Sequence, residues 1–380
     1  MANPPYMGSS NMGPWLSKWA KKNYPDSKPD LCTCFIERGF SLSSCAGLSA
    51  MVTMQSWMFL GSFEKMRAKI LSQRSIVTMA HLGTRAFSAI GGEVVSTTAT
   101  VFSAMKDDVA GAYFRLVDMG SEDEKREGLL QALANPDCGW FYQADARDFE
   151  KIPGSPVVYW ARPSVFASFE SGSFLGEVAM PRQGLATGEN ARFVRQWWEV
   201  SLDKELFDCP SSEEAAASGA KWFPYNKGGE YRKWYGNNEF VINWESDGKE
   251  IRDFEGSVIR NPQCYFKPCI TWSKISSGSI AFRYKPAGHV FDVAGTSIFA
   301  EATVLEYLHG ACNSSSIMGI AEMLSPTLNF EVGQIASYPI VFKWDRKDEI
   351  VSTVQSEAEI SEADWDCLER SWNFRRHPLA

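Results

Sequence analysis

Between residues 30 and 119 the chain alternates between helical and strand patterns, and that alternation is the strongest constraint on its fold. Residues 30–42, DLCTCFIERGFSL, place Leu31, Phe35, Ile36 and Phe40 at helical spacing and predict a helix. Residues 47–54, GLSAMVTM, form a short apolar run that predicts a buried strand. A second helix is expected over 59–71 and a second strand over 75–82. Residues 93–104 and 111–119 are rich in β-branched and aromatic side chains and predict a hairpin. Helix, strand, helix, strand, hairpin is the order of the back half of an α/β sheet.

Ahead of this run stands Asn3-Pro4-Pro5-Tyr6. Two consecutive prolines restrict φ and remove two backbone donors, so the loop is stiff. The tetrapeptide resembles the catalytic motif of amino-group methyltransferases, which implies a nucleobase amine as its target; that amine is a poor nucleophile, because its lone pair is delocalised into the ring. A carboxamide oxygen (Asn3) and a prolyl carbonyl (Pro4) can each accept one of its N–H groups and turn the lone pair out of conjugation. Acceptors fixed where charge develops are commonly the largest catalytic contribution. Pro5 stiffens the loop, and Tyr6 can stack on a base extruded from a duplex. A proline-rich turn without a function is the alternative reading of the same residues.

The methyltransferases with this motif use S-adenosylmethionine, and the resemblance is above all to the adenine-N6 DNA methyltransferases. The succession Asn3–Tyr6, Asp30-Leu31 with Phe35-Ile36, Gly47-Leu48 with Met51-Val52, Phe63-Glu64-Lys65-Met66-Arg67, then Phe87 with Gly91-Gly92-Glu93-Val94-Val95 looks like motifs IV to VIII of the γ-type enzymes. The wording NPPYMGS, SWMFLGSFEKMR and IGGEVV is similar to the adenine-specific methyltransferases of BREX phage-defence systems. The resemblance implies the C-terminal half of a Rossmann-like methyltransferase domain, a parallel sheet with a terminal hairpin, followed by a mixed β/α target-recognition domain. It implies S-adenosylmethionine as cofactor. Double-stranded DNA and other phage-defence proteins are the implied partners. It also implies that Phe87 stacks on the face of the flipped base opposite Tyr6. A core phenylalanine beside a turn is the other reading of Phe87. The glycine-rich turn of the family's cofactor pocket precedes the catalytic motif. The glycine stretches here (Gly91-Gly92, Gly228-Gly229 and Ser277-Gly278-Ser279) do not open a helix after a first strand. The chain is therefore expected to be a fragment that neither binds the cofactor tightly nor methylates DNA alone.

Residues 121–134 predict a helix with Ser121 as N-cap and Glu124 completing a capping box. Pro136, Pro153, Pro156 and Pro163 mark an expected linker. The resulting division is a catalytic part over 1–135, a linker over 136–163, a DNA-binding part over 164–345 and a helical end over 346–380. In the second part, residues 221–236, KWFPYNKGGEYRKWYG, combine bases with aromatics. Lys221, Lys227, Arg232 and Lys233 are candidate phosphate or guanine contacts, and Tyr225, Trp234 and Tyr235 candidate stackers. A hairpin whose aromatics pack on its own core is the alternative. The turn carrying Thr187, Glu189, Asn190, Arg192 and Arg195 is a further candidate, with Asn190 and Arg195 as its DNA contacts; an internal charge-paired turn reads equally well.

The net charge of −8 argues against indiscriminate polyanion binding and leaves room for a local basic cleft. Nine cysteines without regular pairing, and no apolar run long enough to span a membrane, point to a cytoplasmic protein. Cys32, Cys34, Cys264, Cys269 and His289 do not form a standard zinc spacing, and no metal is expected. Two other classes remain open: an amino methyltransferase acting on RNA or protein glutamine, and a non-catalytic DNA-binding or protein-docking module.

Overall fold

The computed structural model describes residues 1–88, 95–276, 278–325, 329–377 and 379, which form two compact units, Met1–Glu170 and Ser171–Ala380. The expected motif residues Gly91-Gly92-Glu93-Val94, together with Ser277, lie outside the described residues.

The first unit opens with α1 (Pro14–Asn23) and α2 (Leu31–Leu42). Asp30 starts α2 by accepting from the Cys32 amide at 2.9 Å. Strand β1 (Leu48–Met54) follows, then α3 (Glu64–Gln73), β2 (Ser75–Gly83), β3 (Thr97–Ser103), β4 (Gly111–Arg115), α4 (Glu122–Ala134), β5 (Phe141–Ala144) and α5 (Ala146–Glu150); α6 (Pro163–Ser171) closes the unit. Helix α3 begins later than its apolar pattern suggests, because residues 55–63 are taken up by two short 3-10 turns. Arg67, wholly buried, ties those turns to α3: it donates to the carbonyls of Trp57, Leu60 and Gly154. Ser121 caps α4 as expected, accepting from the Glu124 amide at 3.2 Å. The Glu124 carboxylate reaches back to the Gly120 amide at 2.7 Å.

The sheet has the order β1-β3-β2-β4-β5. Strand β3 lies antiparallel between β1 and β2, which therefore run parallel to each other, and β4 pairs parallel with β2. The predicted hairpin of 93–104 with 111–119 does not form. Strand β3 turns back on β2 instead, while β4 crosses to the other edge of β2. The connection over 104–110 lacks the two-residue glycine turn that would close such a hairpin, and β3 is buried on both sides as a central strand. The sheet is mixed, with one parallel ladder, rather than parallel throughout. The stretch expected as a linker also belongs to this unit. Strand β5 pairs antiparallel with β4, and Val157, Val158 and Tyr159 are buried.

The second unit contains β6 (Ser173–Phe174), α7 (Leu175–Val178), β7 (Met180–Arg182), α8 (Asn190–Phe193), β8 (Val194–Gln196), α9 (Ser212–Ala217) and β9 (Trp222–Asn226). Then come β10 (Phe240–Asn243), α10 (Glu245–Arg252), β11 (Cys269–Trp272), β12 (Phe282–Lys285), β13 (Val290–Phe291) and β14 (Ser297–Phe299). Helices α11 (Ala302–Asn313), α12 (Ser315–Leu324) and α13 (Val332–Ala336), strand β15 (Pro339–Ile340) and helix α14 (Lys347–Trp365) complete it. Its main sheets are β13-β9-β10-β8 and β12-β11-β14-β7, and β15 pairs with β6. Phe193, Phe223, Trp244, Phe266 and Val290 fill a core between these elements. Among the described residues no helix is long and apolar enough to cross a membrane.

Candidate active site and nucleic-acid contacts

The Asn3–Tyr6 loop is held at both ends. Ala2 pairs parallel with Met51 on β1: its amide donates to the Ala50 carbonyl at 2.9 Å, and the Val52 amide donates to the Ala2 carbonyl at 3.0 Å. Beyond the loop, the Leu31 amide donates to the Met7 carbonyl at 2.9 Å, and the Met7 amide donates to the Asp30 carboxylate at 3.3 Å. Asp30 therefore caps α2 and pins the exit of the loop with one carboxylate.

Between these anchors Pro4 is buried, Asn3 and Pro5 are exposed, and Tyr6 is half-buried. The Tyr6 hydroxyl donates to Asn3 Oδ1 at 2.9 Å. Burial first, and the neighbouring Cys32 second, push the Tyr6 hydroxyl up to about 12, so it stays a donor at neutral pH. Among the described residues nothing donates to the Pro4 carbonyl. The loop thus holds an oriented carboxamide oxygen on Asn3 next to a buried Pro4 whose carbonyl has no donor among the described residues.

Ala2, β1, β2 and β4 all run in one direction. Their carboxyl ends open onto one sheet edge, the place where α/β sheets bind ligands. That edge carries Asn3–Tyr6, Gln55 after β1, Thr84–Phe87 after β2 and Leu116–Asp118 after β4. Phe87 is half-buried there in an irregular segment. Sequence reasoning missed the polar relay beneath this edge. His81, buried on β2, meets Gln55 Oε1 through Nε2 at 2.8 Å and the Tyr159 hydroxyl through Nδ1 at 3.0 Å. An amide oxygen only accepts, so Nε2 carries the proton and Nδ1 accepts from Tyr159. Burial first, then the charges of Arg115 and Lys125, hold His81 down to about 3, so the ring is neutral.

In the second unit the basic candidates turn inward. Lys227 pairs with Asp292 at 3.3 Å, Arg232 with Asp364, and Lys221 with Glu245 at 3.9 Å. Lys233 donates to the Asn313 carbonyl at 2.9 Å. Tyr225 and Tyr235 are buried, and the Tyr225 hydroxyl donates to Asp292 at 2.5 Å. Strand β9, which carries Tyr225, lies between β13 and β10 and is buried along most of its length. Trp234 packs edge-on against His309, with ring centroids 5.1 Å apart. In the other turn, Arg192 pairs with Glu250 at 2.7 Å and Arg195 donates to the Ala191 and Val194 carbonyls. Asn190 is exposed and its side chain accepts from Thr187 at 2.7 Å. The side chains that this segment leaves to solvent are Glu230 and Tyr231, which its basic and aromatic composition did not single out. All nine cysteines are free, and among the described residues no three His, Cys, Asp or Glu side chains gather as a metal-holding group.

Residues 1–87 match the family described as Eco57I restriction-modification methylase. The whole chain is 42% identical over 389 residues to the adenine-specific methyltransferase PglX of Lacticaseibacillus casei (strain Zhang), covering 32% of that protein. It is 40% identical over 387 residues to the adenine-specific methyltransferase BrxX of Escherichia coli O9:H4 (strain HS), covering 30% of it. The chain thus spans about a third of the length of these relatives. These similarities bear out the resemblance carried by the motifs. Two solved structures share the fold. The type IIL restriction-modification enzyme MmeI, in complex with DNA, gives a TM-score of 0.57 at 11% identity, over 98% of this chain and 50% of that one. The type ISP enzyme LlaGI, with a DNA substrate mimic, gives 0.51 at 12%, over 95% and 41%.

Proposed function

We propose that this chain is the catalytic-motif and target-recognition part of a site-specific adenine-N6 DNA methyltransferase acting in phage defence. The observation that carries the reading is the doubly anchored Asn3–Tyr6 loop at the carboxyl edge of the sheet, in a chain similar over its whole length to adenine-specific methyltransferases. The parallel run of Ala2, β1 and β2, closed by the antiparallel β3, supports the Rossmann-like half-domain. The two four-stranded sheets of the second unit support its assignment to target recognition.

In this reading an adenine leaves the duplex and enters the carboxyl edge. Asn3 Oδ1 and the Pro4 carbonyl accept its two amine hydrogens, which draws the lone pair out of the ring. Pro5 keeps the loop from collapsing, and Tyr6 and Phe87 stack on the two faces of the base. S-adenosylmethionine supplies the methyl group when bound. Among the described residues no glycine-rich turn follows a first strand, so these residues by themselves do not fit that cofactor.

Sequencing of N6-methyladenine in DNA exposed to the full-length protein tests the proposal. One methylated sequence motif is expected, lost on Asn3→Ala with DNA binding retained. Unmodified DNA with the wild-type protein and its defence-system partners, or full methylation by the variant, overturns it.

A further inference from the structure

The loop over 228–238 is braced on nearly every carbonyl, in part by two buried cations. Arg283 and Lys285 on β12 are 1% and 0% exposed. Among the described residues neither meets a carboxylate. Arg283 donates to the Arg232 carbonyl at 3.3 Å and to Ser273 Oγ at 3.0 Å, and its Nε finds no partner. Lys285 donates to the carbonyls of Gly236 and Asn237 at 2.8 and 3.1 Å, and to Asn238 Oδ1. Ser273 holds the Gly229 carbonyl at 2.7 Å, and Asn237 holds that of Glu230 at 3.0 Å. Ser361 on α14 donates to the carbonyls of Lys233 and Tyr235 at 3.0 and 3.2 Å. The Tyr284 amide takes the Trp234 carbonyl at 2.7 Å.

Every carbonyl from Gly229 to Asn237 apart from that of Tyr231 is therefore held from outside or across the loop. The backbone is also strained. Trp234 and Asn237 sit at φ of 70° and 57°, a region that side chains other than glycine rarely adopt. Burying cations with no carboxylate in direct contact is costly, and burial pulls Arg283 down to about 10 and Lys285 well below its ordinary range. Strain and unpaired burial persist where the surroundings impose them, and they concentrate at functional sites.

What the bracing presents is the tip, Gly229-Glu230-Tyr231. Tyr231 is 55% exposed, and Glu230 is exposed. Among the described residues neither side chain has a hydrogen-bond or ion-pair partner. A free carboxylate is repelled by phosphate, so such a tip does not serve a general polyanion surface. A carboxylate does accept from the N4 amine of cytosine in the major groove, and a rigid tyrosine beside it packs on base edges or a thymine methyl. We infer that Glu230 and Tyr231 are base-reading residues of the target-recognition part, with Glu230 selecting a cytosine within the methylated DNA site. The inference rests on the proposed methyltransferase function. In it, Arg232, Lys233, Arg283 and Lys285 are positioning residues that set the loop and make no contact with DNA.

The test uses the full-length protein, Glu230→Gln and Tyr231→Ala, with two readouts. One is the sequence selected by affinity from random duplexes; the other is the N6-methyladenine motif found by sequencing. Both side chains are exposed, so melting temperatures should match the wild type. Glu230→Gln should relax or switch one position, from cytosine to another base, in both readouts. Tyr231→Ala should lower affinity for the cognate duplex several-fold while leaving nonspecific binding at low salt unchanged. Unchanged motif and affinity in both variants overturns the inference. A wild-type protein that selects a duplex sequence without methylating it overturns the methyltransferase reading alone, and the variants then decide the loop by selection. A wild-type protein that selects no sequence overturns both.

Discussion

The hydroxyl of Tyr6 donates to the carboxamide oxygen of Asn3 at 2.9 Å, so the proposed catalytic motif orients its own acceptor. The bond leaves the second lone pair of Asn3 Oδ1 for an incoming amine. Tyr6→Phe keeps the stacking ring and removes this restraint. One neutral hydrogen bond stabilises by about 1 kcal/mol, so methylation by the full-length Tyr6→Phe protein should fall by a factor of about 5. Asn3→Ala, which removes an acceptor from the reacting centre, should cost about 100-fold or more. Single-turnover rates on one cognate duplex distinguish the two. Equal losses would show that Tyr6 does more than orient Asn3.

Asp30 joins the helix and the loop, since one carboxylate serves the amides of Cys32 and Met7. Asp30→Ala should lower stability by about 1 kcal/mol through the lost cap and reduce methylation further than that loss explains. Asp30→Asn keeps an N-cap oxygen and should restore the melting temperature. Thermal melting paired with activity on both variants checks this.

Arg67 spends its donors on three backbone carbonyls in a fully buried setting, and burial lowers its guanidinium to about 10. Arg67→Ala leaves those acceptors unpaired and should destabilise the protein by about 3 kcal/mol or more. Limited proteolysis should then open the chain first near 55–63 and 154. Protection unchanged there would show that the 3-10 turns stand without it.

Glu205 has two buried carboxylate oxygens without partners, and burial raises it from 4.5 to about 7. The folded state therefore prefers the protonated acid. Its destabilising effect is absent below pH 4.5, grows between 4.5 and about 7, and is constant above. Glu205→Gln should melt like the wild type near pH 4.5 and at a higher temperature at pH 8. Melting curves at both values, with equal differences at each, would contradict the assignment.

Much of the first unit was legible because its signals are local. The Leu31, Phe35, Ile36, Phe40 spacing forms α2, the apolar run at 48–54 forms β1, and Ser121 caps α4. The stiffness of the Asn3–Tyr6 loop was legible too, since proline restricts the backbone wherever it stands. Strand pairing was not: β3 and β4 both read as strands, and nothing local says that β3 pairs antiparallel with one edge of β2 while β4 pairs parallel with the other. The placement of the candidate DNA contacts was not legible for the same reason. Composition marked Lys227, Arg232 and Tyr225 in 221–236, but a side chain's direction is decided by what packs against it. Asp292 and Asp364 lie far along the chain: the buried Asp292 draws Lys227 and Tyr225 to itself, while the exposed Asp364 holds Arg232 at the surface. Residue type and spacing thus determined the helices, the strands and the chemistry of Asn3–Tyr6. Which strands pair, and which face of 221–236 meets solvent, was decided by long-range packing, where distant residues first become neighbours.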